Sequence, residues 1–334
     1  MNVVNFALVG CGRISEKHID ALSKIKRARI IEVFDKDIDL SEKISKKIKA
    51  NFFKSENDLF KNSYSDCFVI TSPNGLHKSQ SIKALKKGFD VIVEKPMALN
   101  YGDVLKMYET SAEFKRKLYP VFQLRHAKTI MRVKSAIERK KLGKILFFSI
   151  NQIITRPQNY FDESRWRGTE RMDGGTLLNQ AIHYIDLVDW FFGSVNKVNS
   201  FSKRLSRNIE TEDSSVINFE MVNGAIGSMS FTVLASPSNL ETSLTIVGEK
   251  GTIKLEGSAL EKIIRWSIGN TKNIETNDNE NEMKSDHQKF YEEVIKNYCG
   301  EKSHFDDSLS YRANAIIDAI YKSAKRNSVV KVNY

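Results

Sequence analysis

The sequence predicts an α/β protein in which a doubly wound parallel sheet is followed by an α+β domain with an open, mainly antiparallel sheet. Three observations support this prediction. Short β-rich apolar runs alternate with helical segments over residues 1–123. Longer runs of alternating polarity occur within residues 124–334. A chain of 334 residues is also too long for one ordinary hydrophobic core.

The first domain is expected to alternate strands with short helices. The predicted strands are Val3–Val9, Arg29–Phe34, Cys67–Thr71, Val91–Val93 and Tyr119–Gln123. The predicted helices are a segment ending at Lys24, then Leu40–Ile48, Lys78–Lys87 and Tyr101–Lys117. Nearly continuous apolar strands separated by helices indicate a parallel sheet that is covered on both faces.

The second domain begins with a predicted helix, Met131–Lys140, and continues with alternating runs. These runs are Ile145–Ile154, Val195–Leu205, Asp213–Met221, Ala225–Leu234, Thr242–Val247 and Thr252–Leu255. The polar stretch Glu275–Asp286 predicts a loop, and His287–Tyr298 and Ser308–Lys325 predict two helices before a short strand, Val329–Val332. The pattern predicts one antiparallel sheet packed on helices, and its open face is expected to form a homodimer or homotetramer interface.

Composition excludes several classes of protein. Hydrophobic residues make up 41% and charged residues 28%, which excludes wholesale disorder. No apolar run reaches the roughly 18 residues of a membrane helix, and the first residues lack a signal-peptide pattern. Three widely spaced cysteines exclude a disulfide framework and favour a reducing compartment. We therefore expect a cytoplasmic protein without a membrane partner.

The net charge of +11 could indicate nucleic acid, a membrane surface or an anionic small molecule as the partner. Most of the excess lies in lysine-rich helices, such as Lys43–Lys49 and Lys83–Lys87, and no nucleic-acid-binding motif surrounds it. We interpret those lysines as a solvated surface and expect no nucleic-acid partner.

A glycine-rich turn follows the first strand. Gly10 would permit the tight turn, and Gly12 the approach of a pyrophosphate to the main chain at a helix N-terminus. Ser15 replaces the third glycine of the usual pattern. Asp35 ends the second strand, where a carboxylate binds the ribose 2′-hydroxyl and repels a 2′-phosphate. The sequence thus predicts a Rossmann domain that prefers NAD to NADP.

Polar residues follow the later strands. Ser72-Pro73-Asn74 follows the third strand and Glu94-Lys95-Pro96 the fourth, with a cis bond possible before Pro96. Gln123, Arg125 and His126 follow the fifth strand. Ligands of open α/β sheets bind at these carboxyl ends, so the turns are candidate cofactor or substrate contacts.

Together these segments resemble the glucose–fructose oxidoreductase/inositol dehydrogenase (Gfo/Idh/MocA) family. The resemblance rests on the turn Gly10–Ile14, on Ser72-Pro73-Asn74 with His77, on Glu94-Lys95-Pro96 and on Gly174–Asp186. It implies an NAD-dependent dehydrogenase. The implied cofactor residues are Gly10, Gly12, Arg13, Ile14, Asp35, Ser72, Pro73, Asn74, His77, Glu94, Lys95 and Gln123.

The resemblance also implies the catalytic residues Lys95, Asn179 and His183. Asn179 stands where the family has the aspartate of a D-x-x-x-H pair. Oxidation of a hydroxyl needs a base, for which the ordinary pKa of histidine is suited. Lys95 would polarise the oxygen, or act as the base itself if burial lowered its pKa. The i,i+4 spacing of Asn179 and His183 predicts one shared helix face.

A narrower resemblance covers Thr155–Thr169 and is to the branch that oxidises UDP-N-acetylglucosaminuronic acid at the 3-hydroxyl, for bacterial surface polysaccharide such as O-antigen. Guanidinium groups suit a diphosphate and a carboxylate, and aromatic rings suit a sugar face. The implied substrate residues are Lys95, Arg156, Tyr160, Arg165, Trp166, Arg167, Asn179 and His183.

Three other functions remain open at this stage. One is a dehydrogenase of a free sugar or inositol, another is an NAD-dependent glycoside hydrolase, and the third is a non-catalytic NAD-binding sensor. The histidines share no metal-ligand spacing, so no metal site is expected.

Overall fold

The computed structural model describes residues 3–269, 276–277, 284–303 and 309–334. The chain forms two compact units. The first comprises Met1–Gln123 and Lys284–Tyr311, and the second Leu124–Met283 and Arg312–Tyr334. Residues 284–303 and 309–311 group with the first unit, whereas the sequence analysis expects one continuous second domain over residues 124–334.

The first unit contains a six-stranded parallel sheet in the order β3-β2-β1-β4-β5-β6. Its strands are β1 (Val4–Val9), β2 (Ala28–Phe34), β3 (Asn51–Phe52), β4 (Cys67–Ile70), β5 (Asp90–Val93) and β6 (Leu118–Pro120). Its helices are α1 (Ser15–Ser23), α2 (Ile38–Ile48), α3 (Glu56–Asn62), α4 (Asn74–Lys86), α5 (Tyr101–Glu113) and α9 (Asp286–Tyr298). The predicted parallel sheet is confirmed. The prediction missed β3 and α3, which are too short to show a clear periodicity.

The β1 strand shows why both faces of this sheet are covered. Phe6 and Leu8 lie in the core on one face, whereas Ala7 and Val9 lie in the core on the other. All four are at most 1% exposed. The order of the sheet reverses between β1 and β4, so the turns that follow these two strands are neighbours.

Helix α9 belongs to the first unit because its apolar stripe packs there. Phe290, Tyr291, Val294 and Ile295 lie in the same buried core as Phe6 and other β1 residues. The sequence predicted this helix correctly but placed it in the second domain. The spacing of apolar residues shows that a helix has a buried face and does not show which core receives it.

The second unit contains a nine-stranded sheet in the order β14-β13-β12-β11-β7-β10-β9-β8-β15. Its strands are β7 (Ile145–Ile153), β8 (Val195–Lys203), β9 (Ser214–Met221), β10 (Ile226–Thr232), β11 (Glu241–Gly248), β12 (Gly251–Glu256), β13 (Lys262–Ile268), β14 (Thr276–Asn277) and β15 (Val330–Lys331). Every neighbouring pair is antiparallel except β7 with β10. This confirms a mainly antiparallel sheet, in which β13 and β14 were not predicted.

The helical segments of this unit include a turn of π-helix. They are α6 (Lys128–Glu138), α7 (Gln158–Asp162), the π-helix Leu177–Ala181, α8 (Ile182–Phe192) and α10 (Arg312–Arg326). A 3₁₀ turn, Gln123–His126, lies at the border of the two units. Most of the predicted loop Glu275–Asp286, and Ser308 of the predicted last helix, lie outside the described residues. Within the described ranges, no helix has the length and apolar character needed to cross a bilayer.

The two faces of the large sheet differ in exposure. On β9, Ile217 and Phe219 are buried, whereas Val216 is 51% exposed. Phe201 of β8 and Ile226 of β10 are likewise exposed. Because side chains alternate between the faces of a strand, one face packs in the core and the other presents apolar side chains to solvent.

We predict that Ile295→Ala in α9 destabilises the first unit, whereas the matched Ile320→Ala in α10 destabilises the second. Both side chains are at most 3% exposed, and such truncations cost about 2–5 kcal/mol. Hydrogen–deuterium exchange should show faster exchange in β1 and β4 for the first variant, and in β8 and β9 for the second. Faster exchange confined to β8 and β9 in Ile295→Ala would contradict the assignment of α9.

Candidate active site

The turn after β1 is formed by two glycines with different requirements. Gly10 has φ +100°, and a Cβ there would lie 2.6 Å from the Ser72 main-chain nitrogen, so the neighbouring turn excludes a side chain. A Cβ at Gly12 would meet no heavy atom within 4 Å. The space above Gly12 is therefore open to a bound group, at the start of α1. This arrangement fits a dinucleotide pyrophosphate.

Asp35, just after β2, connects this turn to the second strand. Its Oδ2 accepts a hydrogen bond from Cys11 N at 2.7 Å, and its Oδ1 accepts one from Asp37 N at 2.9 Å. Each carboxylate oxygen keeps acceptor capacity for a ribose hydroxyl. Burial, with a smaller contribution from Asp35, raises the pKa of the Cys11 thiol to about 12, so Cys11 is a neutral packing group. Arg13 nearby is exposed.

The turns after β4 and β5 are joined by His77 of α4. Its Nδ1 lies 2.7 Å from the Pro96 carbonyl oxygen, and its Nε2 lies 2.7 Å from the Ser72 carbonyl oxygen. His77 is 1% exposed, and burial lowers its pKa. The Lys95–Pro96 peptide bond is cis. The predicted residues Ser72, His77 and Lys95 are thus brought to one edge of the sheet.

Glu94, at the end of β5, is buried among groups that the sequence did not associate with it. Its Oε1 lies 2.9 Å from Nε2 of His18, and its Oε2 accepts a hydrogen bond from Lys95 N at 3.0 Å. Nε2 of His287 lies 3.9 Å from the same Oε1. Burial alone would raise the pKa of Glu94, but the hydrogen bond from His18 and the nearby His287 ring hold it well below its usual range.

These three side chains are also a possible set of metal ligands. One ligand atom each from His18, Glu94 and His287 lies within 4.8 Å of the others. No sequence spacing could reveal this set, since its members come from α1, β5 and α9. The 2.9 Å between His18 and Glu94 is a hydrogen-bond distance, so the carboxylate is already satisfied without a cation. The absence of a metal site stays a prediction.

In the second unit, Glu212 fixes the start of the π-helix. Its Oε1 accepts hydrogen bonds from Leu177 N at 2.7 Å and from the Tyr321 hydroxyl at 3.0 Å. Burial raises the pKa of Glu212. A Cβ on Gly175, which has φ +119°, would lie 2.1 Å from the Tyr321 hydroxyl. The glycine therefore allows this acid and this tyrosine to reach the helix start.

The shared helix face of Asn179 and His183 stays a prediction, but the segment that carries it is not a regular α-helix. Asn179 lies in the π-helix, whereas His183 is the second residue of the α-helix α8. A π-turn closes i→i+5 hydrogen bonds and has more than four residues per turn, so side chains at i and i+4 remain near the same face. π-Turns inside helices frequently occur at functional sites.

Asn179 has a buried carboxylate as its partner. Its Nδ2 donates to Oδ1 of Asp173, whose Oδ2 accepts from Gly168 N at 2.7 Å. Asp173 is 1% exposed and Asn179 is 8% exposed. The Asn179 side chain carries no charge, but it is hydrogen-bonded directly to the Asp173 carboxylate. We did not predict Asp173 as a site residue, although it immediately precedes the Gly174-Gly175 segment.

Two of the three predicted arginines lie against one aromatic ring. The Arg167 guanidinium lies 4.3 Å from the centroid of the Tyr160 ring, and that of Arg156 lies 5.3 Å from it. Arg156 Nε also donates to Gln180 Oε1 at 3.1 Å, and the Gln180 amide donates to the Tyr160 hydroxyl at 3.1 Å. Gln180, next to Asn179, therefore links the arginine cluster to the π-helix.

The other aromatic and basic residues of this segment are placed differently. Arg165 is exposed, and Trp166 is half-buried with its ring 5.9 Å from the Arg167 guanidinium. Arg125 is buried and forms a bidentate pair with Asp186, through Nε at 2.8 Å and Nη2 at 2.6 Å. The weaker expectation that Arg125 contacts a ligand is replaced by a structural role, holding α8 in place.

Comparison with known proteins matches both halves of the chain. Residues 4–122 match the oxidoreductase family NAD-binding Rossmann fold, and residues 134–332 match the C-terminal alpha/beta domain of the same family. The chain belongs to the Gfo/Idh/MocA oxidoreductase family. The predicted family and the predicted NAD cofactor are thereby confirmed.

Individual relatives are dehydrogenases. The WlbA dehydrogenase of Bordetella pertussis, in complex with NADH and UDP-GlcNAcA, is 34% identical with a TM-score of 0.93, over 100% of this chain and 99% of that one. The corresponding Chromobacterium violaceum complex is 36% identical with a TM-score of 0.92, over 100% and 98% of the two chains. Glucose-6-phosphate 3-dehydrogenase of Bacillus subtilis is 27% identical over 74% of this chain and 73% of its own length. The Gfo/Idh/MocA protein described here is an NAD-dependent sugar dehydrogenase.

We predict that Gly12→Ala weakens NADH binding about tenfold, which corresponds to 1.4 kcal/mol, and leaves the melting temperature unchanged. The methyl group would enter the open space above the turn and contact protein nowhere within 4 Å. Gly10→Ala is the control and should lower the melting temperature, because its Cβ meets the Ser72 main chain. Fluorescence titration with NADH measures the affinity; wild-type affinity in Gly12→Ala would be the contrary result.

We also predict that Asn179→Asp destabilises the protein at pH 8 by about 2 kcal/mol. Two carboxylates in hydrogen-bond contact cannot both ionise easily, so the pKa of the pair is raised above the unfolded value. Stability is therefore present at low pH and lost as the pH rises through the raised pKa. Melting temperatures measured from pH 5 to pH 8 should diverge from wild type with rising pH.

The exchange variant Asp173→Asn/Asn179→Asp supplies the control for this charge argument. It restores one amide donor and one carboxylate, and the amide oxygen can still accept from Gly168 N. Its melting temperature at pH 8 should recover most of the loss. Equal stability of Asn179→Asp and wild type at pH 8 would show that Asp173 and position 179 are not in contact.

Proposed function

We propose that this protein oxidises the 3-hydroxyl of UDP-N-acetylglucosaminuronic acid (UDP-2-acetamido-2-deoxyglucuronate), with NAD as the hydride acceptor. The observation that carries the proposal is similarity over the whole chain to two WlbA dehydrogenases that were crystallised with NADH and UDP-GlcNAcA. Their identity of 34–36% exceeds the 27% of the sugar-phosphate dehydrogenase from B. subtilis.

The arginine cluster supports an anionic substrate. Arg156 and Arg167 are held by Tyr160 and by main-chain oxygens, so little side-chain freedom would be lost on binding. Guanidinium groups bind phosphate and carboxylate through paired hydrogen bonds, both of which a UDP-linked uronate presents. The exposed Arg165 is a third cation on the same segment.

The proposed reaction removes a hydride and a proton from one carbinol. A bound NAD would supply the acceptor for the hydride that leaves C3. His183 accepts the hydroxyl proton, since an imidazole has its ordinary pKa near neutral pH. The Lys95 ammonium donates a hydrogen bond to the same oxygen and stabilises its developing negative charge. Asn179, oriented by Asp173, positions the substrate or His183 through its amide.

The exposed apolar face of the large sheet supports a further part of the proposal. Phe147, Phe201, Val216 and Ile226 are all at least 38% exposed. A patch of this kind commonly becomes a subunit interface, so we propose a homodimer or homotetramer formed through this face. A biosynthetic role in surface polysaccharide such as O-antigen, in the cytoplasm, would follow from the substrate and from the three free cysteines.

A second candidate function is the oxidation of a sugar that carries no nucleotide. The similarity to glucose-6-phosphate 3-dehydrogenase of B. subtilis favours it. The two candidates differ in what the arginine cluster must bind: a diphosphate together with a uronate in the first case, and one phosphate or none in the second. Substrate selectivity therefore separates them.

We predict that purified protein reduces NAD when mixed with UDP-N-acetylglucosaminuronic acid. UDP-N-acetylglucosamine, which has a hydroxymethyl group in place of the carboxylate, should react at least tenfold less efficiently, because a guanidinium of the arginine cluster would lose its partner. Single-turnover absorbance at 340 nm, with enzyme in excess, detects hydride transfer even when product release is slow. Reaction with glucose 6-phosphate or inositol but not with the UDP-sugar would support the second candidate instead.

A variant tests the role of the base. His183→Ala should lower the single-turnover rate about 10²–10⁴-fold, the usual contribution of general base catalysis. Its NADH affinity should stay at the wild-type value, because His183 belongs to the second unit rather than to the glycine turn. An unchanged rate would remove His183 from the mechanism.

A further inference from the structure

A chain of hydrogen bonds runs from helix α9 to the main chain of Lys95. The Tyr291 hydroxyl lies 2.7 Å from Nδ1 of His18, and Nε2 of His18 lies 2.9 Å from Oε1 of Glu94. The other oxygen of Glu94 accepts the Lys95 N–H at 3.0 Å. We propose that Tyr291, His18 and Glu94 are positioning residues that set the placement of Lys95 for hydride transfer.

The direction of each hydrogen bond follows from the chemistry of the groups. An ionised carboxylate only accepts, so His18 carries its proton on Nε2 and its bare Nδ1 accepts from the Tyr291 hydroxyl. Burial lowers the pKa of His18 and raises that of Tyr291 well above its ordinary value, which keeps both groups neutral. Each hydrogen bond in the chain therefore has a defined donor and a defined acceptor.

Burial makes the chain hard to rearrange. His18 and Tyr291 are 0% exposed, and Glu94 is 4% exposed. A buried polar group that loses its partner pays the full desolvation cost, since water cannot replace that partner. Removing the tyrosine hydroxyl therefore leaves His18 Nδ1 without its donor and frees the imidazole to turn.

The Lys95 turn is held from two sides. Glu94 binds the Lys95 N–H, and His77 contacts the carbonyl oxygen of the next residue, Pro96, at 2.7 Å. The Lys95 side chain itself is half-buried. A reacting side chain that starts from a fixed Cα loses less freedom in the transition state, and a displacement of 1 Å can cost about 10²-fold in rate.

Helix α9 also places a second side chain, His287, close to His18 and Glu94. His287 lies one helical turn before Tyr291, its Nε2 is 3.9 Å from Glu94 Oε1, and its ring is edge-on to His18 at 5.3 Å. The sequence places α9 far from Lys95, more than 180 residues later. The return of this helix to the first unit thus brings Tyr291 to His18 and places His287 near the carboxylate that holds the Lys95 turn.

The test compares two tyrosine variants of the full-length protein. Tyr291→Phe removes the hydroxyl at the start of the chain. Tyr119→Phe is the matched control. In the wild type the Tyr119 side chain is 3% exposed, and its hydroxyl donates to Asn297 Oδ1 of α9 at 3.0 Å rather than to a residue of the Glu94 chain. Both variants should lower the melting temperature, Tyr291→Phe by more, because the hydrogen bond of Tyr291 is buried and that of Tyr119 is partly buried.

Only Tyr291→Phe should lower kcat, by about tenfold, with KM and NADH affinity within twofold of wild type. A purely structural role for Tyr291 predicts the same kcat in both variants, and that result would overturn the proposal. Full activity of Tyr291→Phe would overturn it as well.

The kcat comparison rests on the proposed function, since it needs a substrate that turns over. A second measurement, by NMR, does not depend on the proposed function. Nitrogen-15 NMR of histidine-labelled protein should show His18 neutral from pH 7 to pH 9, with the proton on Nε2, and a shifted Nδ1 resonance in Tyr291→Phe but not in Tyr119→Phe. A proton on Nδ1, or a charged ring at pH 7, would overturn the chain even if UDP-sugar oxidation were demonstrated. Absence of turnover in wild type would refute the proposed function alone.

Discussion

Carboxylates that accept main-chain N–H groups hold four turns, two in each of the two units. The pairs are Asp35 with Cys11, Glu94 with Lys95, Asp173 with Gly168, and Glu212 with Leu177. A turn that carries a functional residue cannot satisfy its own main chain as a helix or strand does, so another group has to supply the acceptor. A charged acceptor makes a stronger hydrogen bond than a neutral one. The positions of the glycine turn, of Lys95 and of Asn179 all depend on hydrogen bonds of this kind.

These buried carboxylates also show which charges organise the fold of a protein with a net charge of +11. Most lysines are on the surface, where ion pairs contribute little to stability. The charges that organise the molecule are few and mostly anionic, and they lie inside it. In the second unit, the buried pair of Arg125 with Asp186 adds a bidentate contact to α8, the helix that carries His183.

An element could be predicted when it was long enough to show a periodic pattern and when the residues that define it lie close together in the sequence. The strand β1, its glycine turn and Asp35 were predicted because all the evidence lies within 35 residues of sequence. The two-residue strand β3 was missed because it has no measurable alternation. The π-helix was predicted as an ordinary helix, since its apolar pattern is nearly the same. Candidates such as Arg156 and Tyr160 came from a local motif, whereas Gln180, which bonds to both, was recognised only from their contacts.

The sequence by itself determined the two kinds of sheet, the Rossmann turn, the NAD cofactor and the family, because each depends on residues close together in the chain. Only the tertiary structure decided which core receives α9, and that His18, Glu94 and Tyr291 form one hydrogen-bonded chain. It likewise decided that Asp173 touches Asn179. The physical reason is common to these cases: a hydrogen bond is formed between side chains that folding brings within 3 Å, whatever their separation in sequence.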